Sequence, residues 1–173
     1  KGPDVTSVAS KDVGLRPYSS SNEASFFRGI AGTVNLAQNI DISTFISYRK
    51  RDASLKTSDD KSTLQTIGTT GLHRTKTELK NQRSLGQLIY GGALQYLTNN
   101  LNLGLVAYQS SYQHEFVPGT SLYNKYAFTG KSLTNTGFHY NYTFKNIYFY
   151  GETAYSLNGG WAVVNGAMAS LSK

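Results

Sequence analysis

Cysteine is absent from the 173 residues, so neither a disulfide framework nor a thiolate metal site is available. Proline is scarce at three residues, and methionine and tryptophan occur once each. Long apolar runs are missing as well. No stretch reaches the roughly 20 mostly apolar residues of a membrane-spanning helix. Leu85–His114 and Thr153–Ser172 contain no Asp, Glu, Lys or Arg, yet both are too rich in Gly, Asn, Gln and Ser to be such helices. The chain starts at Lys1 with no basic start and apolar run behind it, so any export signal is expected outside these residues.

What is present favours strands. Tyrosine reaches 13 residues beside 8 Phe and 17 Gly, and aromatics and β-branched residues populate strands while Gly, Asn and Ser supply tight turns. An uncharged run of only moderate hydropathy suits a barrel wall, in which alternate residues meet lipid. The formal charge is +7 and is concentrated. Between Arg49 and Arg83 nine Lys or Arg stand against four acids, an excess of five positive charges. Without a helix-turn-helix, zinc or RNP-like motif this stretch reads as a solvated basic loop, and nucleic acid is not an expected partner.

Hairpins can be tested by arithmetic, because the numbers of directly opposed residues sum to a constant. With Lys145-Asn146 as a turn between Thr136–Phe144 and Ile147–Leu157 the sum is 291. Phe144, Tyr142, Tyr140 and Phe138 then share one face with Ile147 and Phe149, while His139 faces Glu152 and Asn141 faces Tyr150 on the other. Tyr140 opposite Gly151 is an aromatic-over-glycine pair. With Asn99-Asn100 as a turn inside Ser84–Gln113 the sum is 199: Leu94 faces Leu105, Gln95 faces Gly104, and Tyr108 faces Gly91. Asn-Asn suits positive φ at both positions. A third hairpin joins Phe27–Leu36 to Ile42–Arg51. A two-residue turn mixes its faces, whereas a three-residue loop Gln38-Asn39-Ile40, with Asn39 left-handed, gives a sum of 78 and places Gly29 with Arg49 on the polar side.

Tight turns near 39, 99 and 145 thus alternate with longer connections at 52–84 and 115–126, and only Asn158-Gly159-Gly160 is short on that side. Residues 4–11 are a further strand candidate, and the last strand is expected at Trp161–Leu171. The fold class expected is all-β: an antiparallel up-and-down transmembrane β-barrel of about seven or eight strands, one domain over 1–173, cut from a larger barrel. Its rims would be short periplasmic turns and long extracellular loops, and Trp161, Tyr48, Tyr90, Tyr96 and Tyr142 are its girdle candidates.

Lumen-lining candidates are His139, Glu152, Asn141, Tyr150, Gln95, Tyr108 and Arg49. In the loop, Thr75-Lys76-Thr77-Glu78 has the capping-box pattern and predicts one helical turn through Asn81. Arg74, Lys76, Lys80 and Arg83 form its basic patch, suited to the phosphates of surface lipopolysaccharide. His73, His114 and His139 lack metal-ligand spacing. His139 opposite Glu152 has no nucleophile placed beside it, so no enzyme activity and no cofactor are expected.

Gly14-Leu15-Arg16-Pro17-Tyr18 with Glu23 and Phe26-Phe27-Arg28-Gly29 resembles the barrel region of large outer-membrane proteins of Bacteroidetes-type bacteria. Gly71-Leu72-His73-Arg74-Thr75 with Glu78, Leu133-Thr134-Asn135 and Gly159-Gly160-Trp161-Ala162 carry the same resemblance. Members often join the barrel to a helix-hairpin-helix segment, mostly without assigned function. No such segment occurs here, so DNA binding does not carry over. The resemblance implies an outer-membrane location, and the barrel reading itself leads to the expectation of a channel, transport or structural envelope role, with outer-membrane lipid, lipopolysaccharide and other envelope proteins as partners. The alternative is a soluble β-barrel binding a small apolar ligand inside, which would turn the aromatic face inward.

Overall fold

The computed structural model describes residues 15, 18–19, 26–58, 61–157 and 159–170. The strand candidate at 4–11 and the end of the last expected strand at Leu171 lie outside the described residues. The strands are β1 (Gly29–Ala37), β2 (Ile40–Arg51), β3 (Ala53–Ser58), β4 (Lys61–Ile67), β5 (Leu85–Leu97), β6 (Leu101–Phe116), β7 (Gly130–Phe144), β8 (Ile147–Ser156) and β9 (Trp161–Ala169). Helix α1 spans Lys76–Asn81, and a single 3-10 turn covers Leu122–Asn124.

The chain is all-β and up-and-down. One sheet runs β1-β2-β5-β6-β7-β8-β9, every neighbour antiparallel, with the β3–β4 hairpin set off this path. Seven strands on the path match the expected count. Among the described residues the sheet is not closed, and β1 and β9 are each paired on one side.

Two hairpins have the expected registers. Opposed residues of β5 and β6 run from Gln87 with Tyr112 to Leu97 with Asn102, and those of β7 and β8 from Asn135 with Ser156 to Phe144 with Ile147. The first hairpin differs. Val34 lies opposite Ile42 and Ile30 opposite Ile46, so the sum is 76, and it shifts between Asn35 and Ala37. Gln38-Asn39 is a two-residue turn after all. A bulge at Leu36 adds the residue that restores the faces, so the extra residue sits in β1 and not in the loop. Because the shift from the expected register is two residues, every side chain keeps its expected face.

The turn conformations are also corrected. Among described non-glycine residues only Arg83 and Lys145 have positive φ, so neither Asn39 nor the Asn99-Asn100 pair is left-handed. At the second turn Thr98 closes the backbone instead. Its N–H donates to the Leu101 carbonyl at 2.8 Å, and its hydroxyl accepts from the Leu101 N–H at 3.1 Å.

The second residue of each turn is asparagine, and each stitches its hairpin to the next. The Asn39 carbonyl accepts from Leu97 (2.9 Å), that of Asn100 from Thr143 (2.8 Å) and that of Asn146 from Ser170 (2.9 Å). Leu97 stands two residues before the turn at Asn99, and Thr143 two residues before the turn at Lys145. Successive hairpins are therefore displaced in the same direction by two residues, or one residue per strand. With a rise of about 3.3 Å and a strand spacing of about 4.8 Å, this slant corresponds to strands tilted by about 35° from the normal to the turn rim.

The connection 52–84 folds back on the sheet. Leu64 of β4 makes one parallel bridge with Phe116 of β6, and Val117 N–H donates to the Leu64 carbonyl at 2.9 Å. Ala53, Leu64 and Leu85 are buried together, flanked by Leu55, Ile67, Tyr112 and Phe116. This small apolar cluster sits under the loop rim and not in the middle of the sheet.

Candidate functional site

The sheet carries two chemically opposed faces. All seven lumen candidates fall on one of them. His139 stands opposite Glu152 on one side and Gly104 on the other, Gly104 opposite Gln95, and Gln95 opposite Asp41. Asp41 faces Asn35 and accepts its amide hydrogen at 2.8 Å. One ladder row across six strands is thus polar throughout except at Gly104, and there the His139 ring covers the glycine. The adjoining row brings Asn102, Asn141 and Tyr150 together, and Gln95 donates to Asn102 at 3.2 Å. The Tyr150 ring covers Gly166 in the same manner, whereas Gly91 lies against the backbone and Cβ of Tyr108.

Arg49 lies on this face at the loop end, opposite Gln87. Its guanidinium donates to the Phe26 carbonyl at 2.7 Å and stands 4.1 Å from the Phe26 ring centroid. Arg51, two residues on, approaches Gln87 Oε1 at 3.5 Å. On the polar face Arg49 and Arg51 therefore stand near the long loops, Asp41 beside a tight turn and Glu152 in mid-strand.

The opposite face holds Ile42, Ile46, Leu94, Leu105, Phe138 and Tyr142. The burial pattern runs against that of a soluble sheet. Ser47, Gln87 and Ser110 on the polar face are only 3%, 5% and 6% exposed, whereas Ile30 and Trp161 on the apolar face are 78% and 70% exposed. The girdle candidates Tyr48, Tyr90, Tyr96, Tyr142 and Trp161 are all exposed on this apolar face. Tyr48 and Tyr90 stand at the same distance from their tight turns, as do Tyr96 and Tyr142 at a lower level. From Ile40 to Tyr48 the apolar positions of β2 cover about 26 Å of strand, or about 22 Å along an axis at a 35° tilt.

The basic patch lies around α1. Thr75 caps the helix: its hydroxyl accepts from Glu78 N–H at 3.2 Å, and Glu78 accepts from Thr75 N–H at 3.0 Å. Lys76 and Lys80 are one turn apart and exposed, Arg74 pairs loosely with Glu78 at 3.9 Å, and no residue of the helix is buried. Hydrogen bonds from the Arg74 and Thr75 amides hold the Glu78 carboxyl below its ordinary range.

Sequence reasoning missed the hub of this loop. Asp52 accepts from His73 Nε2 at 2.7 Å and from Arg83 N–H at 2.8 Å, while its own carbonyl accepts from Gly68 N–H at 2.7 Å. Partners 21 and 31 residues away leave no local pattern to detect. Burial pushes the Asp52 carboxyl up, but the Arg83 amide and His73 outweigh it and hold it below the usual carboxylate range.

Among the described residues no three His, Asp or Glu side chains converge where a metal could sit, and no helix is long and apolar enough to cross a membrane. No family model, curated protein or solved structure matches this chain.

Proposed function

We propose that this chain is wall of a bacterial outer-membrane β-barrel of the Bacteroidetes-type group, serving a non-catalytic channel, transport or structural role in the envelope. The observation that carries the proposal is the inverted burial: large apolar side chains exposed on one face, small polar ones buried on the other. In a membrane barrel the exposed face meets lipid and the polar face lines the lumen, so Arg49, Gln95, Tyr108, His139, Asn141, Tyr150 and Glu152 become lumen residues. A strand tilt of about 35° and an apolar band of about 22 Å agree with such barrels, in which strands tilt about 35–45° around a band about 25 Å tall. Because β1 and β9 run in the same direction, antiparallel closure takes at least one more strand running against both, and in lipid neither edge can stay bare.

The long loops then face outward, and Arg74, Lys76, Lys80 and Arg83 meet lipopolysaccharide phosphates. Changing all four to Ala is expected to weaken lipopolysaccharide binding severalfold, and unchanged binding removes that partner.

Trp161, the only tryptophan, tests the membrane assignment. In vesicles of dibrominated phosphatidylcholine its fluorescence is expected to be strongly quenched, and aqueous iodide to have little effect. A stable detergent-free monomer with iodide-quenched Trp161 would reject the membrane barrel. Ligand-dependent shielding of the aromatic face in that monomer would favour the soluble barrel.

A further inference from the structure

The connection 52–84 returns to the sheet on its polar face. Arg51 stands opposite Leu85 and Arg49 opposite Gln87, and Gln87 in turn opposite Tyr112. Strand alternation puts Leu85, Gln87 and Tyr112 on the same face as Gln95, the face that carries His139 and Glu152. Leu85 is nevertheless fully buried. Ala53 of β3 and Leu64 of β4 cover it, with Leu55, Ile67, Tyr112 and Phe116 packed around them. The hairpin is two-faced to match: Leu55 pairs with Leu64 on the side toward the wall, whereas Lys56 pairs with Thr63 and Ser54 with Thr66 on the other. Its direction is fixed as well. β4 bridges β6 in parallel, and β6 runs from the tight turn at Asn100 toward the loop rim. β4 therefore runs toward the rim and β3 away from it, so the hairpin turns back over the polar face instead of prolonging β2. Three hydrogen bonds hold it there. Val117 N–H donates to the Leu64 carbonyl at 2.9 Å, the Gln65 amide to the Val117 carbonyl at 2.8 Å, and the Ser84 hydroxyl to the Ala53 carbonyl at 2.8 Å.

We propose that the β3–β4 hairpin is the constriction of a channel: held against the lumen wall at the loop rim, it sets the largest hydrophilic solute that passes. The proposal rests on the channel reading above, because only there does the polar face enclose a lumen. Size supports it. Layers stacked face to face stand about 10 Å apart, so a hairpin on the wall narrows the opening by about that much. Chemistry supports it too. The side turned from the wall carries hydroxyls and the Lys56 ammonium, a surface along which a hydrated solute moves, while the apolar side is closed off against Leu85 and Tyr112. A hairpin splayed away from the opening would leave Leu64, Leu85 and Tyr112 in water. Leu64 is thus a positioning residue, which touches the wall and not the solute. The inward turn is confined to β3 and β4; α1, none of whose residues is buried, remains at the outer surface.

The full chain is reconstituted in liposomes, and swelling is followed in isosmotic arabinose, sucrose and raffinose. The parent is expected to admit the monosaccharide much faster than the trisaccharide. Leu64→Ala and Leu85→Ala remove the anchoring contact from the hairpin side and from the wall side. Each is expected to raise the raffinose rate relative to arabinose severalfold. Leu94→Ala, an equal truncation on the apolar face, is expected to keep the parent's ratio. A second readout needs no flux. The chain has no cysteine, and Gln87, beside Leu85 on the covered face, is only 5% exposed. A charged thiol reagent is expected to modify Q87C slowly and Q87C/L64A severalfold faster, with unchanged Trp161 emission as the sign of an intact sheet. Equal modification rates would overturn the proposal, because the hairpin would not be shielding the wall. Passage of arabinose with the same sugar ratios in parent, L64A and L85A would overturn it while leaving the channel reading in place. Exclusion of every sugar by the parent and all variants would remove the channel reading, and the constriction with it.

Discussion

Asp52 ties the base of the long loop because two donors converge on a carboxylate whose side chain is only 23% exposed. Hydrogen bonds to a charged acceptor contribute about 1.5–3 kcal/mol each when their partners are held in place. The folded carboxyl titrates below its ordinary range, so its contribution is fully present above the unfolded value near about 3.9 and is lost as the pH falls through the folded value. Loop 52–84 is therefore expected to become protease-sensitive only in the acid range below about pH 4. Asp52→Asn should make it sensitive at neutral pH, at a cost of about 1.5–3 kcal/mol. Equal cleavage rates for parent and D52N at pH 7 would remove Asp52 from this role. At the same scale, His139 over Gly104 and Tyr140 over Gly151 need glycine beneath them, since a Cβ on either glycine would collide with the ring.

The loop elements show which parts of an element are legible. The capping box of α1 was readable in full because Thr75 and Glu78 satisfy each other's amides within one turn. The β3–β4 hairpin was hidden inside what read as a basic loop. Its alternation is real, with Leu55 opposite Leu64, but its charged and hydroxyl residues have low apolar content. It is held by burial against distant partners, since Leu64 and Leu85 are fully buried with Ala53. Leu64→Ala removes that anchor and is expected to cost about 2–5 kcal/mol. Hydrogen exchange should show the amides of β3 and β4 losing protection while those of β7 and β8 keep theirs. Uniform loss across the sheet would mean that the hairpin is not a separate cooperative unit. The first hairpin teaches the complementary lesson: a bulge and a longer loop restore parity equally well on paper, and only the position of Leu36 separates them.

For the whole molecule, face assignment was legible and hairpin-to-hairpin alignment was not. Within a hairpin the turn fixes the register, so alternation of Leu94 with Gln95, or Phe138 with His139, sorts the side chains correctly. Between hairpins the register depends on non-local pairing such as Ile42 with Leu94 and Leu105 with Phe138, which no turn dictates. The displacement of one residue per strand, and the tilt it implies, emerge only from those pairings. The consequence of the two-faced sheet is a contrast between neighbours. Ala93 and Leu94 are adjacent on β5 but point to opposite faces, Ala93 beside Ser43 and Val106, Leu94 beside Ile42 and Leu105. Leu94 stands mid-height in the apolar band; under the proposed membrane reading an arginine there faces lipid and costs about 2–4 kcal/mol, whereas a lumen position tolerates charge. Leu94→Arg is therefore expected to destabilise the protein in bilayers by about 2–4 kcal/mol, and Ala93→Arg by much less, as measured by urea unfolding in vesicles. A soluble barrel with its aromatic face inward also penalises Leu94→Arg, but there the penalty persists in detergent-free buffer. The two cases separate when Leu94→Arg is followed in lipid and in water. A protein that unfolds reversibly without lipid and shows the same loss in both media does not use this face to meet a membrane.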